Sequence, residues 1–273
     1  MSIDIQRFCV NRKIAPGMGI EPFFQLVARL GLNKVELRND MTGGSVTDDL
    51  SSQAVRELAQ RYGIEILSIN ALYPFNCPDD ALMARAKALL ETAKETDARA
   101  LVLCPLNDGT PVAARQTIDA LRQLAPLFAE YDVEGLVEPL GFPFSSLRSA
   151  REAAALIHEA GAPFRLLVDT FHHALWPDAE RELATLDINR VGLVHLSGVE
   201  DPRPMEQLTD EQRIMLSDSD RLSSAAQVRR LEELGYHGAY SFEPFSSVME
   251  SWSGQEIERQ IRQGMALIQQ ACG

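Results

Sequence analysis

Four short apolar runs in this chain each stop on an ionisable residue: Leu136-Val137-Glu138, Arg165-Leu166-Leu167-Val168-Asp169, Val191-Gly192-Leu193-Val194-His195 and Ala239-Tyr240-Ser241-Phe242-Glu243. Runs of this length and composition read as buried β-strands. A strand that ends on a carboxylate or an imidazole delivers that group to one end of a sheet. Glu138, Asp169, His195 and Glu243 therefore form a candidate ligand set for a single metal ion. Oxygen-rich ligands with one imidazole suit Mn²⁺, Zn²⁺, Co²⁺ or Mg²⁺ better than a soft, thiolate-preferring metal. One such divalent ion is the expected cofactor.

The four runs belong to a longer alternation. Strands are expected near residues 5–10, 33–37, 64–70, 99–104, 133–138, 165–169, 191–196 and 239–243, with segments of helical period between them. In the third such segment Leu82, Ala86, Leu89, Leu90 and Ala93 draw one apolar stripe after a capping Asp79 or Asp80. In the last, Ser253 and Glu256 form a candidate capping box, and Ile257, Ile261, Met265 and Ile268 line one face. Eight βα pairs with no Pro/Gly/Ser-rich linker indicate an α/β chain closed into a (β/α)₈ TIM barrel, a single domain over residues 1–273. No G-x-G-x-x-G or P-loop marks a doubly wound nucleotide-binding sheet. The polar connection at 197–222 is long for a βα loop and is expected to cover the site.

In such a barrel the working face lies at the carboxyl ends of the strands. Asn11, Glu36, Arg38, Asn70 and Asn107 follow or close the first four strands, so polar residues converge from all eight directions. Each ligand candidate has a purely structural use as well. Asp169 could cap a helix, Glu138 and Glu243 precede prolines at strand ends, and His195 could be a hydrogen-bonded core histidine. Ligand-type residues closing four consecutive strands favour the site. His172, three residues after Asp169, is expected to face the same cavity, whereas His173 points elsewhere and His158 and His237 are surface residues. Cys104 reads as core packing, and Phe75, Phe142, Phe144, Trp176 and Phe245 are candidate pocket walls.

The charge balance narrows the partners. With 39 acidic against 26 basic residues the formal charge is −13, which repels polyanions; neither nucleic acid nor an anionic membrane is an expected partner. Lysine occurs only at Lys13, Lys34, Lys87 and Lys94, a placement that disfavours Schiff-base chemistry. Cys9, Cys77, Cys104 and Cys272 are widely separated, as expected of reduced thiols in a cytoplasmic protein. Residues 1–7 lack the basic region and apolar core of a targeting segment, and no apolar run reaches the roughly 18 residues a membrane span needs, so a soluble, unexported protein is expected. A small molecule and further copies of the chain, as a homo-oligomer, are the partners left open.

The strand-end motifs resemble those of the xylose isomerase-like barrels, also described as sugar phosphate isomerase/epimerase-like proteins. The likeness rests on Glu138-Pro139-Leu140-Gly141, Asp169-Thr170-Phe171-His172, Val194-His195-Leu196 and Phe242-Glu243, and covers nearly the whole chain. Within that family the chain looks most like the inosose (2-keto-myo-inositol) isomerases, sharing Asn70-Ala71-Leu72, Phe75-Asn76 and Leu208-Thr209-Asp210-Glu211-x-Arg213. Arg213 is followed by Ile214-Met215-Leu216-Ser217 where relatives carry a Pro-Gly-x-Gly turn. The 3-epimerases of the family place a glutamate and an arginine where this chain has Phe144 and Asp201.

The resemblance implies a metal-dependent isomerase that moves the carbonyl of a small, non-phosphorylated keto-polyol or ketose by enediolate proton transfer. Glu138, Glu243 and His172 are the implied catalytic residues, and Asn70, Arg213 and Asn11 the implied substrate contacts. Ketose 3-epimerisation and inosose dehydration are the alternatives on the same site. An apurinic endonuclease-like nuclease or a non-catalytic sugar-binding protein fits the charge and the intact acid and metal set less well.

Overall fold

In the computed structural model, which describes residues 3–41 and 43–273, eight parallel strands pair in sequence order and β8 closes back on β1. The strands are β1 (Phe8–Asn11), β2 (Lys34–Arg38), β3 (Glu65–Leu72), β4 (Ala100–Leu103), β5 (Glu134–Val137), β6 (Arg165–Asp169), β7 (Val191–Leu196) and β8 (Ala239–Phe242). Around them run α1 (Ile20–Arg29), α2 (Ser52–Tyr62), α3 (Asp80–Thr96), α4 (Ala114–Tyr131), α5 (Ala150–Ala160), the short α6 (Thr170–Ala174) and α7 (Ala179–Leu183), α8 (Ser224–Glu233) and α9 (Gly254–Cys272). This is the (β/α)₈ barrel that the alternation of strand and helix patterns indicates.

The helices begin and end where side chains can satisfy their free backbone groups. Asp79 caps α3 by accepting the Leu82 amide at 2.6 Å, and Leu82, Ala86, Leu90 and Ala93 are buried against the strands. Ser253 caps α9 by accepting the Glu256 amide, but the Glu256 carboxylate turns to Arg259 and Gln260, so only half of the expected capping box forms. Ile257, Ile261, Met265 and Ile268 are buried as their spacing requires.

The first strand starts later than expected. Asp4 accepts the Gln6 amide at 3.0 Å and bends Ile5–Arg7 into a 3₁₀ turn, so β1 begins at Phe8 and includes Asn11. The connection at 197–222 folds back on itself: Gly198 and Ile214 exchange backbone hydrogen bonds at 2.8 and 2.9 Å, which places Arg213 over the barrel mouth. No helix among the described residues is long and apolar enough to cross a membrane.

Candidate metal centre

Alternate strand residues face the barrel lumen, and this period of two builds the site. Ala100, Val102, Leu136, Leu167 and Leu193 pack together in the lumen. Two residues further along, Leu136 gives way to Glu138, Leu167 to Asp169 and Leu193 to His195, while in β8 Ala239 is followed by Ser241 and then Glu243. Apolar residues fill the floor, and the next inward positions carry ionisable groups. Strand register aligns them, for Asp169 pairs with His195 and His195 with Ser241, while on the opposite side Asn11 pairs with Glu36 and Glu36 with Ser68.

Glu138, Asp169, His195 and Glu243 each offer one ligand atom, and these atoms lie within 4.8 Å of one another. All four residues are at least 96% buried. His195 is fully enclosed and oriented from both nitrogens. Nε2 lies 3.0 Å from Glu36 Oε2, while Nδ1 lies 2.9 Å from Glu243 Oε2, 3.5 Å from Glu138 Oε1 and 4.0 Å from Asp169 Oδ2. Nδ1 makes no hydrogen bond to any of them. A ring nitrogen surrounded by three carboxylates sits in an electron-rich nest that favours positive charge, whether a proton or a metal cation.

The charge balance agrees. Glu36, Glu138, Asp169 and Glu243 are buried carboxylates, and the buried cations that meet them are Arg38 and Arg213. With these carboxylates ionised and His195 neutral, as ligation requires, two negative charges would be left over in a region where solvation is weak, which a divalent cation would neutralise. The donor set of three carboxylates and one imidazole fits a hard or borderline divalent ion.

The two arginines also divide the carboxylates by basicity. Glu243 accepts from Arg38 Nη1 at 2.5 Å and from Arg213 Nη2 at 2.8 Å, with Asn11 Nδ2 at 3.3 Å. Burial opposes its ionisation, but His195 and the two guanidiniums hold it well below the usual carboxylate range. Asp169 is pushed up to about 7, chiefly by burial; Arg213 Nη2 opposes the rise, and the neighbouring Glu243 and Glu138 add to it. Its other oxygen is committed elsewhere, since Oδ1 accepts the Phe171 amide at 2.7 Å and caps α6. Asp169 thus serves both as helix cap and as ligand candidate.

The cavity above these residues measures about 320 Å³ and is lined in part by Arg38, Asn70, Cys104, Glu138, His172 and Arg213, with Phe142 and Phe245 as its aromatic walls. His172 is 97% buried with Nδ1 unpartnered, packed edge-on against Phe142 at 4.9 Å. Burial and the Arg213 charge hold it well below its ordinary value, so it is neutral. Gly141 makes this position possible, because a Cβ there would lie 1.9 Å from the His172 carbonyl oxygen. His173 instead uses Nε2 to bond the Ala179 carbonyl at 2.8 Å.

Some residues fall away from their expected places. Asn11 lies outside the cavity wall, with Nδ2 shared between Glu36 and Glu243 and Oδ1 accepting from Arg38 and the Lys13 amide. Its partners make it a brace and leave it no free group for a substrate. Phe75 is buried in the core, and Phe144 is 45% exposed, stacked on Phe142 at 5.2 Å. Cys104, expected to be packing, lines the cavity with Sγ 3.3 Å from Glu138 Oε2. Glu36 has the strongest unrecognised role: an acid flanked by Val35 and Leu37 on an inward strand position follows the same pattern as the four ligand candidates. Burial alone would raise its pKa, yet His195 and the Ser241 hydroxyl hold it at about 2.

Comparison with known proteins gives a consistent frame. The model of a family described as "Xylose isomerase-like TIM barrel" matches residues 24–271. A xylose isomerase domain containing protein from Salmonella typhimurium LT2 is 59% identical over 98% of this chain and 99% of its own, with a TM-score of 0.97. At 22% identity, an IolI protein with a bound zinc atom superposes over 97% of this chain and 99% of its own with a TM-score of 0.86. A D-psicose 3-epimerase crystallised in the presence of D-fructose is 16% identical over 98% of this chain and 99% of its own, with a TM-score of 0.70. The last two are likenesses of fold. No curated protein sequence matches the chain.

Proposed function

The chain belongs to the xylose isomerase-like TIM barrel family, and from that premise we propose that it is a divalent-metal-dependent isomerase acting on a non-phosphorylated keto-polyol, an inosose. Glu138, Asp169, His195 and Glu243 would hold the ion. The observation that carries this reading is His195 Nδ1, enclosed by three carboxylates and without a hydrogen bond. A bound divalent cation would withdraw electron density from a carbonyl and its neighbouring hydroxyl, acidifying the adjoining C–H bond.

The protein's own groups then divide the work. Glu138 is the freer base, since its Oε2 is met by the weak Cys104 thiol donor, whereas Glu243 is clamped by Arg38 and Arg213. Glu138 removes the proton from the carbon beside the carbonyl and returns it to the former carbonyl carbon. Glu243 is the other member of the acid/base pair, facing proton transfer on the hydroxyl side. Neutral His172 offers a hydrogen bond to the substrate oxygen that gains charge as the enediolate forms. Phe142 and Phe245 supply apolar walls for the C–H faces of a ring.

A neutral substrate is favoured because the two arginines that line the cavity are already taken. Arg38 is bonded to Asp40 and Glu243, and Arg213 to Asp169, Asp210 and Glu243. Asp40 and Asp210 stand half-exposed at the cavity edge, where they oppose an incoming phosphate. Phe144 and Asp201, the positions at which epimerases carry extra polar groups, do not line the cavity.

The test is turnover of 2-keto-myo-inositol in deuterated solvent, before and after exhaustive chelation. Isomerised product carrying solvent deuterium at the carbon beside its carbonyl, with activity abolished by the chelator and restored by Mn²⁺ or Zn²⁺, is expected. Undiminished turnover after chelation refutes the mechanism, and an unsaturated product identifies a dehydratase instead.

A further inference from the structure

We propose that Glu36 is a positioning residue for the metal site, the buried carboxylate that fixes His195 as an Nδ1 ligand; this rests on the metal reading above. Glu36 is wholly enclosed at an inward position of β2, across the barrel mouth from His195 in β7. Its Oε2 accepts from Ser68 Oγ at 2.5 Å and Asn70 Nδ2 at 3.0 Å, and lies 3.0 Å from His195 Nε2. Its Oε1 accepts from Asn11 Nδ2 at 3.2 Å and from Ser241 Oγ. Ser68, Asn70, Asn11 and Ser241 come from β3, β1 and β8, so the carboxylate ties the site's wall together.

Surrounding groups make the role specific. An imidazole has two nitrogens, and the one bearing hydrogen is set by what the other faces. Beside a carboxylate that can only accept, Nε2 must carry the hydrogen, so the lone pair falls on Nδ1, the nitrogen turned toward Glu138, Asp169 and Glu243. The four other donors satisfy the remaining capacity of the carboxylate and hold it in place. Glu36 therefore touches no substrate and acts through His195, orienting the ring and raising its ligand basicity.

Two measurements test this without turnover. In [¹⁵N]histidine-labelled, Zn²⁺-loaded parent protein, the imidazole signals lost in His195→Ala should report a protonated Nε2 and a metal-bound Nδ1; a metal-bound Nε2 overturns the proposal. Chelator competition should show Zn²⁺ affinity falling about 10- to 100-fold in Glu36→Gln, as loss of a carboxylate behind a ligating histidine commonly does. In Ser241→Ala, which removes one donor but keeps the carboxylate, affinity should stay within about threefold of the parent. A Glu36→Gln protein that folds and binds Zn²⁺ like the parent, or a Ser241→Ala protein that loses as much, refutes the role. If Glu36→Gln fails to fold, the labelled parent decides alone. A parent that binds no Zn²⁺ fails the metal reading itself, an outcome distinct from either of these.

Discussion

Arg213 Nη2 lies 2.8 Å from Oε2 of Glu243, and the carbonyl of the same arginine receives the backbone amides of Phe245 and Ser246 at 2.8 and 2.9 Å. The guanidinium also stacks on Phe245, 4.3 Å from the ring centroid. The long connection after β7 is therefore fastened to the end of β8 by main chain, charge and aromatic face together. Glu211 adds a further tie by accepting from the Ser247 amide and both the Ser246 and Ser247 hydroxyls.

Replacing Arg213 by Met should destabilise the metal-free protein by about 3–5 kcal/mol, because it leaves buried Asp169 without a guanidinium and Glu243 with Arg38 alone. Mn²⁺ or Zn²⁺ should then recover more stability in the variant than in the parent. Urea unfolding with and without metal measures both effects. Equal metal-induced stabilisation of the two proteins would show that Arg213 and the ion do not share the same carboxylates.

Purified protein is expected to carry about one divalent ion per chain, and Glu138→Gln or His195→Ala to remove most of it. Elemental analysis of the three preparations, alongside circular dichroism to confirm folding, is sufficient. Parent-like metal content in both variants would mean that the ligand set is wrong.

His172→Ala should retain metal but lose turnover on the order of 10²-fold, since it removes a donor to developing charge and leaves the four proposed ligands intact. His173→Ala should act differently. Its bond to the Ala179 carbonyl fastens α6 to α7, so the cost falls on thermal stability. Metal content, turnover and melting temperature in one preparation of each variant separate the roles, and metal depletion matching the activity loss in His172→Ala would reassign that imidazole as a ligand.

Metal affinity should rise with pH. Without an ion Asp169 titrates at about 7, and the facing Glu243 and Glu36 raise His195 well above its ordinary value. Protons held by these groups must leave when a cation enters, so below about pH 7 affinity should fall about tenfold per unit for each proton displaced. Calorimetric titration in buffers of different ionisation enthalpy counts those protons. Binding that is flat between about pH 6 and 8 contradicts the cluster's electrostatics.

The barrel and its ligand candidates were legible because both follow from local patterning. An apolar strand residue two places before an acid fixes which face the acid takes, as Leu136 does for Glu138 and Leu193 for His195. Partnerships across the barrel were not legible. Glu36 and His195 are 159 residues apart and meet only because closure brings β2 and β7 around β1 and β8. The start of β1 was obscured by Asp4, whose cap turns an alternating stretch into a 3₁₀ turn. Cys104 resembled packing since a thiol between apolar neighbours carries no mark of the carboxylate it meets.

Asp169 couples scaffold and chemistry through its two oxygens, one holding the Phe171 amide at the start of α6 and the other turned toward His195 and Arg213. A shift of this carboxylate is geared directly to the next turn of chain, which carries His172. The imidazole proposed for substrate and the carboxylate proposed for metal thus hang from the same strand end. Placement of His172 relative to the proposed metal site is consequently inherited from a helix cap.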